Sequence, residues 1–312
     1  MKCLIVDKME PSLLEGLAGC GITPVYLPDL DRQGIIDKIK DVEGLIIRSK
    51  TRVDKEVIDV ARSLRFVARA GAGTDNIDDR ELAARNIALL NAAEANRDAL
   101  GEHTIGLILA LLNNIVRANN QIKEGQWLRE ANRGHELSEL TVGIIGYGNM
   151  GSAVAERLQI FGCPIITYDK YKENITNAFV KQVSLEQLKD EADILSLHVP
   201  LTPETKDYIN ESFLSSFRKN IYVINTARGE ILDTKALVKA LREGKVIGAA
   251  LDVLDNENFN NLTTGQQAAL QALQASENVI LTPHVGGWSF RSYRRINEVL
   301  IQKIDKMINT KA

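Results

Sequence analysis

Cysteine is scarce in this chain: the three present in 312 residues, Cys3, Cys20 and Cys163, are odd in number and not spaced as metal ligands. That excludes a disulfide framework and a cysteine-built metal centre, and fits the reduced, buried thiols of a cytoplasmic protein. Long apolar runs are missing too. The longest, Ile105 to Leu112 with Gly106 inside it, is far short of the roughly 20 residues that cross a bilayer. A formal net charge of −3 argues against nucleic acid or an acidic membrane as the main partner. No basic and apolar leader precedes Met1-Lys2-Cys3-Leu4, which reads as a strand, so no export signal is expected. No short-period repeat or low-complexity tract appears.

What is there is the composition of a globular protein, 45% hydrophobic and 25% charged, in a chain long enough for two domains. Leu4-Ile5-Val6, Pro24-Val25-Tyr26, Leu45-Ile46-Ile47 and Phe66-Val67-Ala68 read as buried strands. Helix-spaced segments such as Pro11 to Ala18 and Asp54 to Arg62 lie between them. One long helical pattern runs from about Asp98 to Gln121, followed by a polar stretch, Lys123 to Glu139. The alternation restarts at Thr141 to Ile145 and continues with strands at Pro164–Tyr168, Ile194–Leu197, Ile221–Ile224, Ile247–Leu251 and Val279–Leu281. A final helix is expected over Ser289 to Met307. Such βαβα alternation predicts parallel sheets covered by helices on both faces.

The turn Gly146-Tyr147-Gly148-Asn149-Met150-Gly151 has the GxGxxG spacing. Glycine-rich turns are common, and context decides: this one follows a strand, opens a helix (Ser152 to Ile160), and precedes a second strand ending at Asp169, 18 residues beyond Gly151. The first glycine permits the tight turn, the second lets backbone approach a pyrophosphate, and the third brings helix and sheet together. Asp169 is placed to accept hydrogen bonds from ribose hydroxyls and to repel a 2′-phosphate, which favours NAD over NADP, although Lys170 and Lys172 lie close by.

Ligands of doubly wound sheets sit beyond the carboxyl ends of the strands. Arg228 follows one strand, the acidic cluster Asp252, Asp255 and Glu257 follows another, and His284 follows a third. A guanidinium binds a carboxylate bidentately. A histidine exchanges a proton with a keto oxygen as hydride arrives, and a carboxylate beside it orients its ring. Of the other histidines, His103 falls within the long helix, His135 in the polar stretch and His198 at a strand end.

The segments GYGNMG, HVPLTPET, NTARGEILD, GAALDVLDNE and TPHVGG follow one another in the order seen in the D-isomer-specific 2-hydroxyacid dehydrogenases, and the chain resembles that family over essentially its whole length. The resemblance implies an NAD-dependent oxidoreductase acting at C2 of a 2-hydroxy acid, with Arg228, Glu257 and His284 catalytic. It implies that Gly146, Gly148, Asn149, Met150, Gly151, Asp169, His198, Val199, Pro200, Thr205, Thr226, Ala227, Arg228, Asp252, His284, Gly286 and Gly287 hold the cofactor, with Asp252 facing the nicotinamide carboxamide. The family glutamate is often followed by proline, and here Asn258 follows. Ala70-Gly71-Ala72-Gly73 is implied to offer backbone donors to the substrate carboxylate. The implied fold is two doubly wound α/β domains with a cleft between them, a Rossmann NAD-binding domain (97–287) inserted into a flavodoxin-like substrate domain (1–96 and 288–312). The apolar helix around Ile105 to Leu112 suggests a buried face, and the resemblance implies that this region builds a homodimer.

The basic stretch Arg48-Ser49-Lys50-Thr51-Arg52 follows a strand, and its cations and hydroxyls read as a phosphate grip, with Arg69, Arg129 and Arg133 as further charges. RSKT and ARAGAGTDNID resemble the phosphoglycerate-specific branch of the family, so the expected substrate is 3-phosphoglycerate, as in serine biosynthesis. Extra C-terminal regulatory domains are frequent in that branch; this chain ends after its closing helix, and serine feedback is not expected. Trp288 stands where smaller residues are usual, either as packing at the domain junction or as a wall of the substrate mouth. A hydroxypyruvate or glyoxylate reductase is the nearest alternative, and an NAD-sensing scaffold is the alternative from another class. No metal is expected.

Overall fold

Short runs of β-branched residues, each too apolar to face water on either side, dominate both sheets of this protein. The structure is a computed structural model and describes residues 1–309. The chain divides into two compact units: residues 1–97 with the C-terminal stretch from Trp288 onward, and residues 98–287.

The first unit holds five parallel strands, β1 (Lys2–Ile5), β2 (Thr23–Tyr26), β3 (Gly44–Ile47), β4 (Phe66–Arg69) and β5 (Ala88–Asn91), in the order β2-β1-β3-β4-β5. This is the doubly wound order of flavodoxin-like sheets. Leu4, Leu45, Ile47 and Val67 pack on one face with Ile35, Val57, Ile58 and Leu82 from the helices Arg32–Lys38, Lys55–Val60 and Asp79–Ala84. On the other face Cys3, Ile5 and Ile46 meet Leu13 and Leu17 of the helix Ser12–Gly19 and Ile296, Leu300 and Ile304 of the closing helix Phe290–Asn309. Asp31, Asp54 and Asp78 cap their helices through the N–H groups of Gly34, Val57 and Glu81.

The second unit holds seven parallel strands, β6 (Val142–Ile145), β7 (Ile165–Tyr168), β8 (Lys181–Gln182), β9 (Ile194–Leu197), β10 (Ile221–Asn225), β11 (Val246–Leu251) and β12 (Val279–Leu281). Their order, β12-β11-β10-β9-β6-β7-β8, is the Rossmann arrangement with one strand added, and it reverses direction between β6 and β9.

Two expectations need correcting. The single helix expected from Asp98 to Gln121 is two, Arg97–Leu112 and Ile115–Lys123, bent by 61° at a break where Asn114 is left-handed (φ 52°). No single helix among the described residues is long and apolar enough to cross a membrane. The glycine-turn helix starts at Asn149, not Ser152. The buried face expected of the apolar run Ile105 to Leu112 is there: Ile105, Leu107, Ile108, Leu111 and Leu112 pack within the second unit against Val142, Ile144 and Tyr222. Five of the exposed apolar side chains, Ile115, Val116, Ile122, Trp127 and Leu128, lie on the next helix and the segment after it.

Candidate active site

Register aligns the strand ends of the second unit. Tyr168, Ile145, Leu197, Asn225, Leu251 and Leu281 pair across neighbouring strands in a single row. The next residue on each strand is therefore Asp169, Gly146, His198, Thr226, Asp252 and Thr282, so one rim receives every chemically active segment of this unit.

The glycine turn is built as its spacing demands. Gly146 has φ +93°, and a Cβ there would stand 2.7 Å from the carbonyl oxygen of His198. A Cβ on Gly151 would come 2.0 Å from the oxygen of Gly146, so helix and turn touch. Around Gly148 the opposite holds: a Cβ would meet nothing within 4 Å. No side chain caps the helix Asn149–Leu158, whereas Ser184, Asn210, Asp233 and Thr263 cap others in the same unit. An uncapped helix start beside open space suits a pyrophosphate.

Asp169 ties the turn down: its Oδ2 accepts from Tyr147 N at 2.8 Å, and its Oδ1 accepts from Tyr171 N and Lys172 N at 2.9 and 3.0 Å. Partial burial works to raise its pKa, but those three donors and the charge of Lys172 outweigh it and hold the carboxyl below its usual range. Lys170 is engaged with Glu204 at 2.6 Å, and Lys172 donates to the Tyr147 carbonyl.

His198 is buried, with Nε2 2.8 Å from Ser196 Oγ and no hydrogen-bond partner at Nδ1. Burial lowers its pKa from 6.5 to about 3, so it is a neutral packing group and no proton donor. Between those two values the unfolded chain binds a proton that the folded chain refuses. Folding stability is then full above pH 6.5 and falls as pH drops toward 3. Urea unfolding from pH 6.5 to 4.5 should show His198→Asn losing about 1 kcal/mol less per pH unit than the wild type; parallel slopes would contradict this assignment. Beyond it, Val199 packs beside Gly146, and Thr205 Oγ1 donates to the Pro200 carbonyl at 2.6 Å, closing the loop 200–205.

Asn225, fully buried at the end of β10, fixes the segment that carries Arg228: its Oδ1 accepts from Ala227 N (3.0 Å), and its Nδ2 donates to the Arg228 carbonyl (2.9 Å). The Arg228 Nη1 donates to the Ala227 carbonyl at 2.7 Å. Gly229 lies so close to the Leu254 carbonyl that a Cβ would approach it to 1.9 Å, which sets the arginine turn against the acidic segment after β11. Thr226 Oγ1 lies 3.2 Å from Thr104 Oγ1.

Asp252, 2% exposed, organises the histidine loop. Its Oδ1 accepts from Thr282 Oγ1 (2.5 Å) and Val285 N (2.9 Å), its Oδ2 accepts from Gly286 N (2.7 Å), and His103 Nε2 stands 3.3 Å from Oδ1. Burial raises its pKa, yet His103, Thr282 and the two backbone donors together leave it lowered. The carboxylate expected to face a nicotinamide carboxamide is thus turned inward onto the loop of Thr282 to Gly286. His284 N in turn donates to the Asp252 carbonyl at 2.8 Å.

His284 is held with φ +56°, a left-handed backbone that a β-carbon residue rarely adopts outside constrained sites. Its Nδ1 lies 2.9 Å from Glu257 Oε1 and 3.0 Å from Oε2, and both side chains are about half exposed. Asp255, the rival carboxylate, instead accepts from Gln266 Nε2 at 3.2 Å. With Glu257 on Nδ1, the nitrogen left for proton exchange is Nε2. Among the described residues no group of three or more His, Cys, Asp and Glu is arranged to hold a metal.

In the first unit, Arg48 follows β3 with its N–H donating to Asp7 Oδ2 (2.5 Å) and its guanidinium carbon 4.2 Å from the Trp288 ring centroid. Ser49 is exposed. Lys50 is turned away from the expected grip: its Nζ donates to the carbonyls of Pro28 and Leu30 at 3.2 and 3.3 Å. The Ala70–Gly73 turn follows β4; Gly71 has φ +147°, the Arg69 guanidinium occupies the space where its Cβ would be, and Asn91 Nδ2 holds the Ala72 carbonyl at 2.9 Å. Arg129, in the second unit, sits in an exposed segment with Arg133, which pairs with Glu130.

Sequence reasoning missed Asp7, the Asn225 pin, the Thr282 and His103 contacts of Asp252, and the ring pair on Arg48. Only Thr282, at a strand end beside a histidine, carried a readable signal.

Residues 105–286 match the family model described as the NAD-binding domain of D-isomer-specific 2-hydroxyacid dehydrogenases. The chain is 37% identical over 301 residues to a hydroxypyruvate reductase of Thermotoga maritima, covering 96% of this chain and 95% of that one. It is 35% identical over 311 residues to a D-3-phosphoglycerate dehydrogenase of Methanocaldococcus jannaschii, covering 99% of this chain but only 57% of that longer protein. The crystal structure of D-lactate dehydrogenase from Aquifex aeolicus complexed with NAD and lactic acid superposes with a TM-score of 0.85 at 27% identity, covering 99% of this chain and 96% of that one.

Proposed function

The chain belongs to the D-isomer-specific 2-hydroxyacid dehydrogenases, and from that premise we propose that it reduces a 2-keto acid, or oxidises the matching D-2-hydroxy acid, with NAD(H). The observation that carries this reading is the His284–Glu257 contact at 2.9 Å, on the same sheet rim as the Arg228 turn and the uncapped glycine-turn helix.

The open space at Gly148, the uncapped helix start and the fixed carboxylate of Asp169 suit NAD. Bound there, NADH supplies the hydride. Arg228 grips the substrate carboxylate through its planar donors and polarises the adjacent keto group. Protonated His284 gives its Nε2 proton to the keto oxygen as C2 takes up the hydride; in the oxidative direction the neutral ring takes the hydroxyl proton. Glu257 accepts at Nδ1, fixes the ring and stabilises the imidazolium. The Ala70–Gly73 turn is proposed to offer backbone N–H groups to a substrate carboxylate. Val199, Pro200, Thr205, Thr226, Ala227, Gly286 and Gly287 are proposed as cofactor contacts, and Arg129 as a further charge toward the substrate.

We assign 3-phosphoglycerate and 3-phosphohydroxypyruvate as the substrate pair, with a role in serine biosynthesis in the cytoplasm. Arg48 and the relation to phosphoglycerate dehydrogenases over 99% of this chain support it. The commitment of Lys50 to backbone carbonyls favours the second reading, a hydroxypyruvate or glyoxylate reductase. A kinetic panel of 3-phosphohydroxypyruvate, hydroxypyruvate, glyoxylate and pyruvate with NADH and NADPH separates them. A higher kcat/KM for the phosphorylated acid than for hydroxypyruvate is expected, and the reverse order replaces the first reading by the second. Inertness toward the whole panel despite NADH binding would leave the NAD-sensing scaffold.

Preference for NAD is assigned to Asp169. Asp169→Ala is expected to weaken NADH binding about tenfold or more, the worth of a charge-assisted hydrogen bond, and to narrow the gap to NADPH, as read by nucleotide titration. An unchanged NADH/NADPH ratio would remove Asp169 from that role. We also propose a homodimer in which the exposed Ile115, Val116, Ile122, Trp127 and Leu128 are covered by a second copy.

A further inference from the structure

We propose that Trp288 and Tyr293 are positioning residues for Arg48, holding its guanidinium with the donor edge turned to the phosphoryl end of the substrate. The inference rests on the phosphoglycerate reading above and names the side chains that make it selective.

The five-stranded sheet runs β2-β1-β3 at one side, so the chain leaves β1 and β3 in opposite directions. Ligands of open α/β sheets gather in the crevice that such a switch point opens beyond the carboxyl ends of the strands. Asp7 and Arg48 both stand there, soon after β1 and immediately after β3.

Arg48 is fixed in two ways. Its backbone N–H donates to Asp7 Oδ2 at 2.5 Å, and Asn76 Nδ2 donates to the carbonyls of Arg48 and Thr51 at 2.9 and 2.6 Å, so the loop is anchored on both sides. Its side chain lies over two rings: Cζ is 4.2 Å from the Trp288 centroid and 5.1 Å from that of Tyr293, and the two rings are 5.0 Å apart at 47°. Tyr293 is itself held by its hydroxyl, which donates to the Lys8 carbonyl at 3.1 Å.

The two rings lie on one side of the guanidinium, Tyr293 also meeting it in a side-chain hydrogen bond, and the remaining N–H groups lie in the plane of the group, where they meet a phosphoryl oxygen pair side by side. The edge contact to the Lys8 carbonyl is long, at 3.4 Å, and is readily given up to an anion. Of the other cations of this loop, Lys50 points its ammonium at backbone carbonyls and Arg52 adds its charge to that of Arg32 on Asp54, which leaves Arg48 as the residue suited to the task. Trp288 remains half exposed, at 50%, although an indole of that size gains more from full burial. That exposure fits a ring placed to hold a partner rather than to fill a core.

The test compares wild type with Trp288→Ala and Trp288→Phe on 3-phosphohydroxypyruvate and on hydroxypyruvate, which differ only in the phosphoryl group. In the alanine variant KM for the phosphorylated acid should rise about two- to fivefold, the scale of a lost cation–π contact at a solvent-exposed ring, with kcat and the KM for hydroxypyruvate unchanged. Phenylalanine, which keeps a ring, should restore most of the loss. A second readout uses Trp127→Phe, which leaves Trp288 as the one indole of the chain: its emission should respond to 3-phosphohydroxypyruvate and not to hydroxypyruvate. If KM is unchanged for both acids, or rises equally for both, the positioning role is overturned while the substrate reading stands. If the wild type itself shows no preference for the phosphorylated acid, the substrate reading falls first and takes this inference with it.

Discussion

Replacing His284 by alanine should lower kcat for 2-keto acid reduction by about 10²- to 10⁴-fold, the range of a lost general acid, while NADH still binds. The imidazole is the one side chain to which the proposed mechanism gives proton transfer, and its Nδ1 is already committed to Glu257 at 2.9 Å. Alanine, however, also disturbs a backbone position held at φ +56°. His284→Asn is the better control, because asparagine tolerates left-handed backbone at little cost. Both variants should lose turnover alike. Glu257→Gln should lose less, since it keeps a hydrogen-bond acceptor for Nδ1 and removes only the charge that stabilises the imidazolium. Near-normal turnover in His284→Asn, with NADH affinity intact, would refute the assignment.

Arg228→Ala should cost a comparable amount through the substrate. Stripping one partner from a charge pair of this kind costs about 2–5 kcal/mol, which is roughly a 30- to several-thousand-fold loss of kcat/KM. Arg228→Lys should recover only part of it, because an ammonium keeps the charge but not the planar fork. Asn225 and Gly229 fix the turn from the backbone side, so neither substitution should move the melting temperature by more than about 4 °C, the shift of roughly 1 kcal/mol in a domain of this size. The discriminating readout is substrate without a carboxylate. A small aldehyde or ketone, reduced slowly by the wild type, should lose far less in the variants, because only the polarisation of its carbonyl and not the grip on a carboxylate is removed. Equal losses on acid and ketone would mean that Arg228 serves the cofactor or the fold and not the carboxylate.

The two α/β sheets were legible because every long strand is a run of apolar residues bounded by polar or glycine punctuation. The strands missed are those without that signal. In β5, Ala88-Leu-Leu-Asn carries no β-branched residue and is only half buried at a sheet edge. β8 is two residues, Lys181–Gln182, at the other sheet's edge. The helix break at Asn114 was hidden by apolar positions on every side of Arg97–Leu112, which leave no stripe whose interruption would mark an end. The same composition suggested a buried face, and the run is core.

At the site, the residues at strand ends were readable because a charged side chain directly after a buried strand has few places to go. What turns them was not. Asp252 reads as a cofactor contact in the sequence, but its oxygens gather Thr282, Val285 and Gly286 around His284. Lys50 reads as a phosphate ligand, and its ammonium sits on carbonyls some 20 residues earlier in the chain. Contacts of long sequence separation such as Asp7–Arg48 or Arg48–Trp288 leave no trace in local spacing.

The most direct test is a crystal structure with NADH and oxamate, a non-reacting analogue of a 2-keto acid. The carboxylate of oxamate should lie on the Arg228 guanidinium, with its amide carbonyl oxygen within about 2.6–3.2 Å of His284 Nε2 and its C2 facing the nicotinamide ring. A complex in which both ligands are bound and that oxygen faces any other group, with the His284 ring turned away, would contradict the account.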